Sequence, residues 1–324
     1  MTSLASTVPS PAATRALCRA SFVDASPALA ELFDRLQRAG DPPVQVNRQP
    51  DVKPDELPAI LDGAPIAIID HTSLPTAVAS CCPGLKHIVF LGTGARSYMD
   101  PEALAELGIA VHTIKGYGDT AVAECAFALM WAAARGLARM DRELREGRWL
   151  RTDGMQLRGK TLGLIGFGGI AQELARLALG AGMRVVAWNR SPRDHAGVEF
   201  VDIDTLLATS HVVSLHLLLT DETRGFLSRE RIAAMRDGAV LVNTARGALL
   251  DETALVDALT SGKLAHAGLD VFTVEPLPAQ HPFTTLPNVT LSAHSAFRTP
   301  EASVNLVEAA LAHCRRIAAD PGEA

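Results

Sequence analysis

The chain lacks most of the features that would make it something other than a soluble globular protein. It has no excess of basic residues. Of its 324 residues 30 are Lys or Arg and 36 are Asp or Glu, a net charge of −6, so it carries no positive field for nucleic acid. Its five cysteines, Cys18, Cys81, Cys82, Cys125 and Cys314, are odd in number, show no C-x-x-C spacing and have no histidine cluster beside them. Neither a disulfide framework nor a metal site is expected, and a reducing compartment, the cytoplasm, is the expected location. The longest apolar run, CAFALMWAAA (125–134), is far too short to span a bilayer, so no membrane partner is expected. The first positive charge, Arg15, is not followed by an apolar stretch, which argues against a secretory signal. Aromatic residues make up only 5% of the chain, against 48% hydrophobic and 20% charged. That balance, at this length, suits two ordinary domains handling small-molecule ligands.

Residues 1–14, rich in Ser, Thr, Ala and Pro, read as a disordered leader. Beyond them strand-like and helical runs alternate. PIAIID (65–70), LKHIVFLG (85–92) and IAVHTI (109–114) read as buried strands, with helices at TAVASC (76–81) and PEALAELG (101–108) between them. Residues 119–149 read as one long helix, apolar in its first half and charged in its second, suited to joining domains or meeting a partner subunit. A second alternating series runs from KTLGLIG (160–166) to VTLSAH (289–294), and residues 300–320 are again helical. This order predicts an α/β protein with doubly wound parallel sheets.

The second series opens with TLGLIGFGGIA (161–171), an apolar strand running into Gly166, Gly168, Gly169 and Ala171 in the pattern G-x-G-x-x-A. The first glycine allows a tight turn. The second lets the backbone approach a pyrophosphate, and the small third residue lets helix and strand pack closely. The phosphates would rest on the N–H groups at the helix start. The next strand, RVVAWN (184–189), ends in Asn189 and Arg190 where an NAD site usually carries an acidic residue. No carboxylate would repel a ribose 2′-phosphate there, and Arg190 would bind one, which favours NADP(H) with NAD(H) possible. An Arg190 that merely stacks on the adenine is the alternative.

Three more strand ends carry chemistry. VLVNTARG (240–247) delivers Arg246, whose planar fork suits a carboxylate. AHAGLDVFTVEP (265–276) delivers Asp270 and Glu275, and VTLSAH delivers His294. These segments, with GKTLGLIGFGGIA, VVSLHLLLTDET, PGLKHIVFLGTGA and GIAVHTIKGYGDTAVAE, resemble the D-isomer-specific 2-hydroxyacid dehydrogenase family, which includes glyoxylate/hydroxypyruvate reductases and phosphoglycerate dehydrogenases. The similarity covers nearly the whole chain after about residue 60.

The resemblance implies two Rossmann-like domains, the dinucleotide-binding one (116–297) inserted into a flavodoxin-like substrate domain (1–115 and 298–324), with the active site in the cleft. It implies reduction of a small 2-keto acid to the D-2-hydroxy acid, or the reverse. His294 would be the general acid/base, Glu275 would hold its imidazolium, and Arg246 would bind the substrate carboxylate with N–H groups of Gly92, Thr93 and Gly94. Asp270 would lie near the nicotinamide amide. The cofactor surface would extend to Ile170, His216, Leu217, Thr223, Thr244, Ala245 and Ala296. A homodimer through the 119–149 region is implied. The alternatives are an NAD-dependent phosphoglycerate or other D-2-hydroxyacid dehydrogenase and a non-catalytic NAD(P)(H)-sensing protein of the corepressor type.

The chain departs from the family at several points. The G-x-G turn continues as ARSYMD (95–100), which alters the rim at Arg96, Ser97 and Tyr98. Cys125 replaces the His of the usual Ala-Glu-His, Leu218 and Ala293 replace prolines, and His211 replaces an aspartate. Ile69 and Phe90 stand where phosphoglycerate dehydrogenases place basic residues, so a phosphorylated substrate is disfavoured. A small or apolar 2-keto acid fits better, with Phe90, Tyr98 or His71 shaping its side-chain pocket.

Overall fold

The computed structural model describes residues 19–49, 51–191 and 193–319, and the N-terminal leader expected from composition lies outside them. The chain divides into two compact units. One contains the residues up to Tyr117 and those from Thr299 onward, and the other is Gly118–Arg298.

The first unit is built on five parallel strands, β1 (Ala20–Phe22), β2 (Val44–Val46), β3 (Ile66–Ile69), β4 (His87–Phe90) and β5 (Ala110–Thr113), in the order β2-β1-β3-β4-β5. This is the flavodoxin-type order. The interior strands are buried on both faces, which is why they read as continuous apolar runs rather than alternating ones. Helix Pro27–Leu36, capped by Ser26, and the terminal helix Pro300–Ala319 cover one face through Leu29, Phe33, Leu306 and Leu311. Leu57, Leu61, Leu74 and Leu104 fill the other. Strands β1 and β2, three residues each, carry too little periodicity to be picked out from the sequence.

The second unit holds seven parallel strands: β6 (Thr161–Ile165), β7 (Arg184–Trp188), β8 (Val198–Phe200), β9 (Val212–Leu215), β10 (Ala239–Asn243), β11 (Leu264–Leu269) and β12 (Val289–Leu291). Their order is β12-β11-β10-β9-β6-β7-β8. Sequence and space therefore part company beside β6, whose neighbours are β7 and β9, and the carboxyl end of that strand is where open α/β sheets bind ligands. Both units are thus the doubly wound parallel sheets that the alternation predicted.

The 119–149 segment is not one helix. It is two, Asp119–Arg135 and Leu137–Arg145, bent by 66°. Gly136 makes the break. Its φ of +62° ends the first helix in the left-handed conformation that glycine adopts without strain, and its N–H reaches back to the carbonyls of Ala132 and Ala133. The apolar first half is consumed by its own unit, with Ala126, Leu129, Met130 and Ala133 buried against the sheet and the helix Gly169–Gly180. What remains exposed lies beyond the bend: Leu137 and Leu144, each 51% accessible, and Trp149 at 77%. Among the described residues no single helix is long and apolar enough to cross a membrane.

Candidate active site

The glycine loop is shaped by close approach. Gly166 ends β6 at φ +89°, and a Cβ there would stand 2.7 Å from the carbonyl oxygen of His216. No L side chain is accommodated by either constraint. Around Gly168 a Cβ would meet nothing within 4 Å, so this face of the loop is open. Helix Gly169–Gly180 begins at once, with no side chain capping its first N–H groups. Those donors are left for an anion. At Gly169 a Cβ would collide with the Asp119 carboxylate, whose partial burial raises its pKa. Ala171 is fully buried, as close helix–strand packing requires.

Of the other residues expected at the cofactor, Asn189 and Leu217 touch this loop. Asn189 accepts the Phe167 N–H at 3.2 Å and donates to the Ser191 carbonyl at 2.9 Å. His216 shares a hydrogen bond with Ser214 at 2.9 Å, and burial lowers its pKa to about 4, so it is a neutral imidazole. Leu217 packs against Gly166, and Ile170 packs on the core beneath the loop. The Thr223 hydroxyl is engaged inside its own turn, donating to the Leu218 carbonyl at 2.6 Å. The Thr244 hydroxyl is buried without a hydrogen-bond partner, a polar atom waiting for a ligand group. An open glycine turn, uncapped helix N–H groups and an orphaned hydroxyl fit a dinucleotide. Arg190 lies on the surface beside Glu222, 3.3 Å away.

The other half of the site rises from the carboxyl ends of β10, β11 and β12, which are neighbours in the sheet. Asn243 closes β10, fully buried. Its Oδ1 accepts the Ala245 N–H at 3.0 Å and its Nδ2 donates to the Arg246 carbonyl at 2.9 Å, a turn that fixes the backbone carrying Arg246. The guanidinium donates to the Ala245 carbonyl at 2.7 Å. Gly247 comes next because a Cβ there would lie 2.0 Å from the Phe272 carbonyl carbon, so this turn is pressed against the one after β11.

Asp270, expected near the cofactor, organises the backbone around His294. It is fully buried, and its two carboxylate oxygens accept the N–H groups of Ser295 and Ala296, each at 3.0 Å, while its carbonyl takes the His294 N–H at 2.7 Å. It is a clamp that holds the histidine segment to the strand beside it. The N–H of Ala296, another residue expected at the cofactor, is thereby taken. His294 itself adopts φ +48°, unusual for a residue with a side chain and affordable only where its surroundings hold it so. Its Nδ1 lies 2.6 Å from Glu275 Oε2. Glu275 Oε1 accepts the Phe272 N–H at 2.9 Å, which fixes the carboxylate before it meets the imidazole. Nε2 of His294 has no hydrogen-bond partner among the described residues. The structure therefore brings Glu275 and His294 into direct contact, and it leaves Arg246 bonded to neither.

Cys125 sits close enough to Asp270 to feel its charge. Burial first, and that carboxylate second, push its thiol up to about 11, so it is an unreactive neutral thiol. In the first unit the G-T-G turn after β4 differs from its expected form in one respect. The Gly92 N–H is already given to the Phe90 carbonyl at 2.8 Å, which leaves the N–H groups of Thr93 and Gly94 as the turn's donors. Beside it Tyr98 packs on Phe90, with ring centroids 5.3 Å apart, and meets His71 edge-on at 5.8 Å.

The comparisons with known proteins agree with this geometry. Residues 127–296 match the model of the D-isomer specific 2-hydroxyacid dehydrogenase NAD binding domain. A hydroxypyruvate reductase from Thermotoga maritima is 41% identical over 264 residues, 78% of this chain and 86% of that protein. A glyoxylate reductase from Aeropyrum pernix is 39% identical over 240 residues, 70% of this chain and 71% of the relative. The crystal structure of a glyoxylate reductase from Paecilomyes thermophila matches with a TM-score of 0.82 at 31% identity, covering 93% of this chain and 95% of that one. With two parallel-sheet units, a dinucleotide loop after β6 and a carboxylate–imidazole pair after β11 and β12, the chain belongs to the D-isomer-specific 2-hydroxyacid dehydrogenases.

Proposed function

We propose that the protein reduces a small 2-keto acid to the D-2-hydroxy acid, in the manner of a glyoxylate/hydroxypyruvate reductase. The observation that carries this reading is the 2.6 Å contact of His294 Nδ1 with Glu275, with Nε2 unbonded. A proton on Nε2 is then available to a carbonyl oxygen. A bound reduced nicotinamide supplies the hydride. Glu275 sets the orientation of the imidazole and stabilises the positive charge of its protonated form, so that His294 can give a proton to the carbonyl oxygen and take it back in the reverse direction. Arg246 holds the substrate carboxylate and draws electron density from the adjacent carbonyl.

We read Gly118–Arg298 as the cofactor domain, with Thr244, Gly168 and the N–H groups of Gly169 and Ile170 meeting the dinucleotide. NADP(H) is the favoured cofactor, because no carboxylate directly succeeds β7 and Arg190 is within a side chain's reach of that position. We place the enzyme in the cytoplasm as a homodimer whose contact includes Leu137, Leu144 and Trp149. The test is the initial rate of NADPH and NADH oxidation with glyoxylate, hydroxypyruvate, pyruvate, phenylpyruvate, branched keto acids and 3-phosphohydroxypyruvate. Fast NADPH-dependent turnover of unphosphorylated keto acids is the expected result. Tight dinucleotide binding with no turnover would overturn the reading in favour of a redox sensor.

A further inference from the structure

The turn that carries Glu275 is held from outside by a second carboxylate. Glu252 opens the helix Glu252–Thr260, yet its side chain leaves that helix, and Oε1 accepts the Thr273 N–H at 2.8 Å. Thr273 lies two residues before Glu275. Its neighbour, Phe272, gives its own N–H to Glu275 Oε1 at 2.9 Å. The same Phe272–Thr273 peptide is the one that Gly247 approaches so closely that a Cβ would fall 2.3 Å from the Thr273 nitrogen. Three parts of the site therefore converge on two consecutive peptide units: Glu275 holds the N–H of Phe272, and Glu252 and the Arg246 turn meet the next peptide, Phe272–Thr273.

Glu252 is itself braced. Its Oε2 lies 3.6 Å from Nε2 of His281, and both side chains are about four-fifths buried, at 20% and 21% accessibility. The Nδ1 of His281 accepts the Phe283 N–H at 3.3 Å, which leaves Nε2 turned toward Glu252. A second carboxylate–imidazole pair thus stands behind the first. It touches no reacting group. Its connection to the chemistry runs through the Thr273 N–H to the backbone of Glu275.

We infer that Glu252, steadied by His281, is a positioning residue that sets the placement of Glu275 against His294. The inference rests on the reductase reading for its kinetic consequences and on the geometry alone for its effect on the imidazole. Without Glu252 the Thr273 N–H loses its acceptor, the Phe272–Thr273 peptide is free to rotate, and Glu275 meets His294 less closely. A displacement of that kind lowers the rate of the chemical step rather than substrate affinity.

The experiment compares the full-length protein with Glu252→Ala and Glu252→Gln. It measures kcat and KM on the fastest keto acid, and the titration of the His294 imidazole by NMR. Glu252→Ala is expected to lower kcat on the order of tenfold, with KM within about twofold, and to move the His294 titration away from that of wild type. Glu252→Gln keeps an oxygen for the Thr273 N–H and is expected to restore most of both. Wild-type kcat and an unmoved His294 titration in Glu252→Ala would overturn the proposal. So would equal losses in both variants with His294 titrating as in wild type, the signature of a merely structural residue. If the wild type turns over no keto acid, the reductase reading fails, and the titration still decides for or against Glu252.

Discussion

Each unit has a glycine turn at the carboxyl end of an interior strand, Gly92-Thr93-Gly94 after β4 and Gly166-Phe167-Gly168-Gly169 after β6, and the two are not equivalent. After Gly168 a helix of 12 residues starts immediately at Gly169, its first N–H groups uncapped. After Gly94 comes a three-residue 3₁₀ turn, Ala95–Ser97, and the next helix, Pro101–Glu106, has six residues and its own cap in Asp100. A Cβ at Gly166 would strike backbone, whereas one at Gly92 would meet only the Phe90 ring, at 3.1 Å. The same glycine spacing therefore makes a dinucleotide cradle in one unit and a small polar turn in the other. Spacing does not distinguish them. The element that succeeds each turn, and the atoms pressed against it, do.

The same contrast holds between one carboxylate–imidazole pair from each unit, Glu275–His294 at 2.6 Å and Asp70–His71 at 2.9 Å. Replacing His294 by Ala is expected to lower kcat on the order of 1000-fold while dinucleotide affinity stays as it was. His71→Ala is expected to alter the preference among keto acids and leave the proton step intact. Rates and dinucleotide titrations on both variants check this. A large kcat loss in His71→Ala would place the acid in the wrong unit.

The glycine turns are compared directly by Gly166→Ala and Gly92→Ala. The first forces a left-handed residue and a backbone clash, so dinucleotide affinity should weaken on the order of 100-fold. The second asks only that the Phe90 ring move by a few tenths of an ångström, and dinucleotide binding should be unchanged. Fluorescence titration reads both. Equal losses would show that the two turns serve one site in the same way.

Arg190→Ala sharpens the account of the cradle. If its guanidinium meets a 2′-phosphate, the ratio of NADPH to NADH efficiency should fall about tenfold, the worth of one charge-assisted hydrogen bond. An unchanged ratio would leave NADP preference without a residue.

The smallest effect expected is on stability, and it applies to both units. Burial lowers His112 in the first unit and His266 in the second to about 4, from the ordinary 6.5. Neighbouring charge adds to it, from His87, His313 and Arg316 in the first case and from Arg142 and Arg139 in the second. Between those pH values the unfolded chain binds protons that the folded chain refuses, so stability is full above about pH 6.5 and falls as the pH drops toward 4. Thermal midpoints across this window should decline in the wild type and decline less in His112→Gln and His266→Gln. In the latter, Gln can keep a hydrogen bond to Thr290, which His266 Nε2 meets at 3.0 Å.

Much of the fold was legible because parallel sheets buried on both faces write continuous apolar runs, as in β3, β4 and β10. The short edge strands β2 and β8 and the bend at Gly136 were not. A three-residue strand has no period to read, and a lone glycine inside a helical pattern is tolerated at a modest cost, so its presence does not by itself mark a break. At the site, the resemblance of whole segments to one family points to Arg246, Glu275 and His294, and of these the structure joins Glu275 to His294. The buried clamp of Asp270 and the outer carboxylate of Glu252 could not, because hydrogen bonds between residues 21 to 26 positions apart leave no local pattern.

The order of residues alone determined what is local. The apolar strands, the turn at Gly166, the small residue at Ala171 and the absence of a carboxylate just after β7 come from backbone sterics and side-chain chemistry within a few positions. Only the tertiary structure decided what depends on neighbours in space. Glu275 lies 19 residues from His294, and they meet because β11 and β12 pair in parallel, Ala267 beside Val289, and end on the same edge. Asp270 became a clamp for the same reason. Burial, too, is a property of the assembled sheet, and it is burial that holds His216 neutral and the Cys125 thiol protonated.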